Sequence, residues 1–135
     1  MKNYFIDTNI FLRFLTADNK EKYNKCKQLF QRAVFGKELL ITSDLVIAEI
    51  IWTLLSFYKI PKQEVIEKVT IILNTPNLKI ENHKLINEAL LLFSLKNLDF
   101  IDAYNSTYIR QKQIDGIYSY DRDFDKVDFL ERLEP

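Results

Sequence analysis

The chain has 135 residues, 47% hydrophobic and 28% charged, the size and make-up of one compact globular domain. Nineteen Lys+Arg balance nineteen Asp+Glu, so the net charge is zero, and global charge neither argues for nor excludes a nucleic-acid partner. A single cysteine cannot form an internal disulfide and fits a reducing cytoplasm, two glycines leave no glycine-rich phosphate loop, and no apolar run suits a signal peptide or a membrane span.

Residues 2–6 read as a buried first strand that stops on Asp7. Residues 9–16 read as a short helix with Ile10, Phe11, Phe14 and Leu15 on one face. Asp18, three residues before Glu21, is a capping-box-like start for a helix over 20–35. Gly36 suits its left-handed end. Leu39–Thr42 is a second strand, Ser43 or Asp44 can cap a helix over 44–58, and Pro61 suits the first turn of another over 61–74. Residues 75–77 break the chain before a third strand over 78–81. Helices follow over 83–96 and 100–113, the second capped by Asp99. Asp115-Gly116 is a turn, 117–120 a fourth strand and 129–133 a short fifth at an edge. Strands separated by helices predict an α/β fold with a central, mainly parallel sheet of four or five strands. Sites in such sheets form beyond the carboxyl ends of the strands.

Four acids stand apart from the solvated majority. Asp7 ends strand one, Glu49 lies among apolar neighbours in "LVIAEIIW", Asp102 opens a helix in "DFIDAY", and Asp121 ends strand four in "YSYDRDF". Taken singly, Asp7, Asp102 and Asp121 also suit helix caps, first turns and loops. Glu49 is harder to explain that way, because an acid among apolar groups needs a partner. Together the four are predicted at one rim. Two carboxylates ~4 Å apart repel by about 4 kcal/mol at an effective dielectric of ~20. A cation among them removes that cost, and hard carboxylate oxygens select Mg²⁺ or Mn²⁺. One or two such ions support hydrolysis of a phosphodiester by a metal-activated water. Lone His83 and lone Cys26 offer no imidazole or thiolate set.

The chain resembles PIN-domain ribonucleases of the VapC toxin type. The resemblance rests on "FIDTNIFLRFL", "TSDLVIAEIIWTL", "LDFIDAYNSTYI" and "IYSYDRDFDKV", four short motifs in order along the whole length. It implies a PIN-like three-layer α/β/α sandwich over residues 1–135, RNA as substrate, Mg²⁺ or Mn²⁺ as cofactor, and frequent homodimers. Toxins of this type belong to type II toxin–antitoxin pairs and are neutralised by a small cognate antitoxin. Residue by residue, the resemblance implies Asp7, Glu49, Asp102 and Asp121 as catalytic metal ligands. Asn9 and Ser119 match polar positions that support the site. Asp99 and Asp123 lie beside motif acids and are candidates to assist.

A neutral protein with an acidic site still needs cations to hold RNA. Residues 20–37 carry Lys20, Lys22, Lys25, Lys27, Arg32 and Lys37 against Glu21 alone, so Lys22 and Lys25 are candidate phosphate contacts. A solvated helix surface is the plainer reading of that run. Arg13, Arg110 and Arg122 lie nearer the predicted site. Tyr104, Tyr118 and Tyr120 suit core packing better than base stacking. Three rival functions remain. A housekeeping RNA-processing nuclease would share the site, a non-catalytic RNA- or protein-binding PIN domain would not need metal, and a haloacid-dehalogenase-type phosphatase would need an acid where Asn9 stands.

Overall fold

The computed structural model describes Met1–Pro135. Its contacts group into two compact units, Met1–His83 and Lys84–Pro135. In the first, the order is β1 (Asn3–Phe5), α1 (Thr8–Thr16), α2 (Lys20–Val34), β2 (Leu39–Thr42), α3 (Asp44–Ser56), α4 (Lys62–Leu73) and β3 (Leu78–Ile80). The three strands form a parallel sheet in the order β1-β2-β3, with Tyr4 beside Leu40 and Leu40 beside Leu78. Parallel neighbours need a crossover, and α1–α2 and α3–α4 supply one each.

Burial follows the helical periodicity of the sequence. On α3, Val46, Ile47, Ile50, Ile51 and Leu54 are buried; on α4, Val65, Val69, Ile72 and Leu73 are. Each such side chain contributes about 1.5–3 kcal/mol when fully withdrawn from water. Phe11, Phe14, Tyr23 and Phe30 form a stacked and tilted aromatic cluster between α1 and α2, with Phe14 and Phe30 centroids 4.9 Å apart. The free thiol of Cys26 is buried beneath α2.

Strand β1 departs from expectation. It is an edge strand, and Tyr4 and Phe5 are 49% and 59% exposed, leaving only Ile6 beyond it buried. The start of α2 also differs. Asn19, not Asp18, is the cap and accepts from the Lys22 amide at 3.0 Å. Asp18 instead accepts from Arg13 Nη1 and from the Tyr58 hydroxyl, each at 3.0 Å. Desolvation raises the Asp18 carboxyl, but these two donors outweigh it and leave the group below its usual range. Gly36 is left-handed at φ +75°, as read from the sequence.

The second unit contains α5 (His83–Leu95) from its second residue onward, α6 (Phe100–Gln111), β4 (Ile117–Tyr118), a 3-10 turn over Arg122–Lys126, and β5 (Arg132–Leu133). The sheet of four or five strands is therefore corrected to a three-stranded parallel sheet and a separate parallel pair, β4-β5. The amides of Ile117 and Ser119 donate to Glu131 and Leu133 carbonyls. Gly116 permits this approach: a Cβ there would lie 2.7 Å from the Glu131 carbonyl oxygen. Strand four stops at Tyr118 because the next backbone turns onto side chains. The Asp121 amide donates to Ser119 Oγ at 3.0 Å.

Candidate acidic metal site

The second unit gathers three acids. One carboxylate oxygen each from Asp102, Asp121 and Asp123 lies within 4.8 Å of the others. Local hydrogen bonding explains the arrangement. Asp99 caps α6 by accepting from the Asp102 amide at 2.8 Å, which fixes the first helical turn and the Asp102 side chain that it carries. Asp121 caps the 3-10 turn by accepting from the Asp123 amide at 2.9 Å, which draws Asp123 back toward it. Asp123 is also paired with Lys126 at 2.9 Å.

Like charges at 4.8 Å repel by about 3.5 kcal/mol at an effective dielectric of ~20. The consequence falls on the half-buried member. Asp102 is pushed up to about 6, first by desolvation and then by the charges of Asp99, Asp121 and Asp123. A divalent cation relieves both causes, and an all-oxygen donor set suits Mg²⁺ or Mn²⁺. The Ser106 hydroxyl, one helical turn after Asp102, is fully buried without a hydrogen-bond partner. The residues present therefore fit a hard divalent ion.

Asp7 and Glu49 belong to the first unit. Asp7 caps α1 by accepting from the Thr8 amide at 2.8 Å. Its backbone is anchored from β2: Ile6 N–H donates to Ile41 O at 2.8 Å, and the buried Thr42 hydroxyl donates to Ile6 O at 2.9 Å. Thr42 is a support that the sequence reading missed; its only signal is a hydroxyl ending an otherwise aliphatic strand. Glu49 corrects the argument made for it. It is exposed, on a stripe of α3 with Leu45 and Trp52, so it carries no burial cost. Its apolar sequence neighbours Ile47, Ile50 and Ile51 point to the core on the opposite face.

The supporting residues divide. Asn9 is exposed in the first turn of α1, and Ser119 holds the Asp121 amide. Asp99 acts as a cap, and Asp123, read as an assistant, is a full member of the acid cluster. Arg110 is engaged: its guanidinium lies 4.2 Å from the Phe129 ring centroid and 4.0 Å from Glu88. Arg122 is exposed beside Asp121. Tyr118 and Tyr120 are 72% and 71% exposed, which corrects the core-packing role read for them. The two-residue β4 is too short to cover its own side chains.

The structure is thus an α/β protein with a parallel sheet in its first unit and, in its second, an acidic cluster at a helix start and beyond a strand end whose oxygen donors fit a hard cation. Residues 4–130 match the family described as PIN domain, and the chain belongs to that family. It is 30% identical over 124 residues to a protein named VapC ribonuclease from Aquifex aeolicus (strain VF5), an alignment spanning 92% of this chain and 91% of that one. The crystal structure of Mycobacterium tuberculosis VapC20, described as a Sarcin-Ricin loop cleaving toxin, is similar over 99% of this chain and 100% of its own. The identity is 22% and the TM-score 0.41. The resemblance to VapC-type PIN ribonucleases read from the four motifs agrees with the family match and the Aquifex relative.

Proposed function

We propose that this protein is a Mg²⁺- or Mn²⁺-dependent endoribonuclease of the VapC type, acting as one PIN domain and as the toxin of a type II toxin–antitoxin pair. The observation that carries the reading is the Asp102–Asp121–Asp123 cluster in a chain of this family. These three residues would hold the ion. When bound, the ion supplies Lewis acidity for attack of water on an RNA phosphodiester. Asp99 and Ser119 position the cluster through the Asp102 and Asp121 amides. Asp7 and Glu49 are assigned to the family's acid set on their motifs alone. The partners that follow are RNA, a cognate antitoxin and a second copy of the chain. No helix is long and apolar enough to cross a membrane, and we place the protein in the cytoplasm.

The test is cleavage of a panel of structured RNAs with Mg²⁺ or Mn²⁺, with EDTA, and with the variants Asp7→Asn and Asp102→Asn. The reading predicts metal-dependent cleavage lost in both variants. Undiminished cleavage by Asp102→Asn would remove the cluster from the site, and undiminished cleavage by Asp7→Asn would remove that motif acid. Co-purification with the product of an adjacent small reading frame separates a toxin from a housekeeping nuclease.

A further inference from the structure

A cleft of about 390 Å³ opens between α1 and α2, lined by Asn9, Ile10, Arg13, Lys22, Lys25 and Cys26. Three of these six residues are cations and none is an acid, in a chain whose net charge is zero. The cations come from two helices fixed by the aromatic cluster of Phe11, Phe14, Tyr23 and Phe30. Arg13 is held in place by its 3.0 Å bond to Asp18, which the Tyr58 hydroxyl also engages. That bond uses one arm of the guanidinium and leaves the rest of its donors for a ligand. Lys25 is tied only to exposed Glu21, 3.2 Å away, a solvent-screened pair that a phosphate can displace. Asn9 adds an amide donor. It also locates the cleft, since it lies two residues beyond Asp7 in the first turn of α1.

We propose that this cleft binds a backbone phosphate of the RNA strand, through Arg13, Lys22, Lys25 and Asn9, without need of metal. The proposal rests on the ribonuclease reading and deepens it. RNA is favoured over a protein partner because the lining is cationic with one amide, which matches a phosphodiester better than an apolar side chain.

The test is fluorescence anisotropy of a labelled single-stranded RNA oligonucleotide in EDTA, as a function of salt. Three cation–phosphate contacts add about 2 to the slope of log affinity against log salt for a single strand. Lys22→Gln/Lys25→Gln should lower the slope by about 1.4, and adding Arg13→Gln by about 0.7 more. Lys27→Gln/Lys37→Gln removes the same charge from the same basic segment outside the cleft and should change the slope far less. Thermal melting of every variant, all exposed or half-exposed substitutions, checks the fold. Equal effects of the two lysine pairs, or no effect of the cleft pair, would overturn the proposal and leave the cleft to solvent or a protein partner. The two readings fail separately. Slope loss in EDTA without any metal-dependent cleavage keeps the phosphate site and removes the nuclease. Normal cleavage with an unchanged slope does the reverse.

Discussion

Replacing Asp102 by Asn should stabilise the metal-free protein, and only at neutral pH. In the folded chain the Asp102 carboxyl rises from 3.8 to about 6. Taken at face value that displacement is worth about 3 kcal/mol. Asp102 is only half-buried, so solvent screening reduces it to about 1–1.5 kcal/mol. Asn also gives up a favourable acid in the first turn of α6, about 0.5 kcal/mol. The net gain is about 0.5–1 kcal/mol, or ~2–4 °C in Tm for a domain of this size. The sign follows from linkage. A folded-state pKa above the unfolded one means that the proton stabilises the fold. That stability is fully present below about 3.8 and is lost as pH rises through about 6. Wild type and variant should therefore melt alike near pH 4, and the variant should melt higher at pH 7.5. Differential scanning fluorimetry of both in EDTA across this range reads the difference. At ten times its Kd, Mn²⁺ should then raise wild type by about 1.4 kcal/mol and the variant by much less. A difference that does not change with pH, or a variant that melts lower at pH 7.5, would refute the account of crowded carboxylates.

Three further outcomes test the local structure. Thr42→Val removes the donor to the buried Ile6 carbonyl and should cost about 1–2 kcal/mol in urea unfolding, with slower cleavage because Asp7 follows directly. Ser106→Ala removes a buried hydroxyl that has no partner and should leave the metal-free Tm unchanged or raised, whereas a fall of several degrees would reveal a bond to that hydroxyl. Asn19→Ala should cost about 1 kcal/mol as a lost helix cap, and Asp18→Ala less than that as a lost surface pair; the opposite order would restore the capping box read from the sequence.

Periodicity made the helices legible, because each carries an apolar face that must find a core. The residues that end them were nearly legible too: Ser43, Asp99 and Gly36 act as read, since cap chemistry is local. Asp18 does not act as the cap because its partners, Arg13 and Tyr58, lie 5 and 40 residues away along the chain, and competition between a cap and such contacts is not visible in spacing. Glu49 shows the limit of reading neighbours along the chain. Flanking isoleucines surround it in sequence, yet a helix sends them to the other side. In the acid cluster, Asp102 and Asp121 were found from their places at a helix start and a strand end. Asp123 was undervalued because its approach depends on the tight 3-10 turn capped by Asp121, which no apolar pattern announces. All five strands form where they were expected, but the last two are too short to extend the first sheet and pair with each other instead. Runs of four or five residues read as strands, but turn chemistry at Ser119 and pairing through Glu131 and Leu133 left β4 and β5 two residues each.

The central claim is tested most directly by the chemistry of the RNA ends. Water attack on the phosphodiester, with no part played by the ribose 2′-hydroxyl, predicts cleavage that requires Mg²⁺ or Mn²⁺. It predicts products free of 2′,3′-cyclic phosphate, and one ¹⁸O in the product phosphate when the reaction runs in labelled water. Cleavage that persists in EDTA, or products ending in a cyclic phosphate, would contradict it.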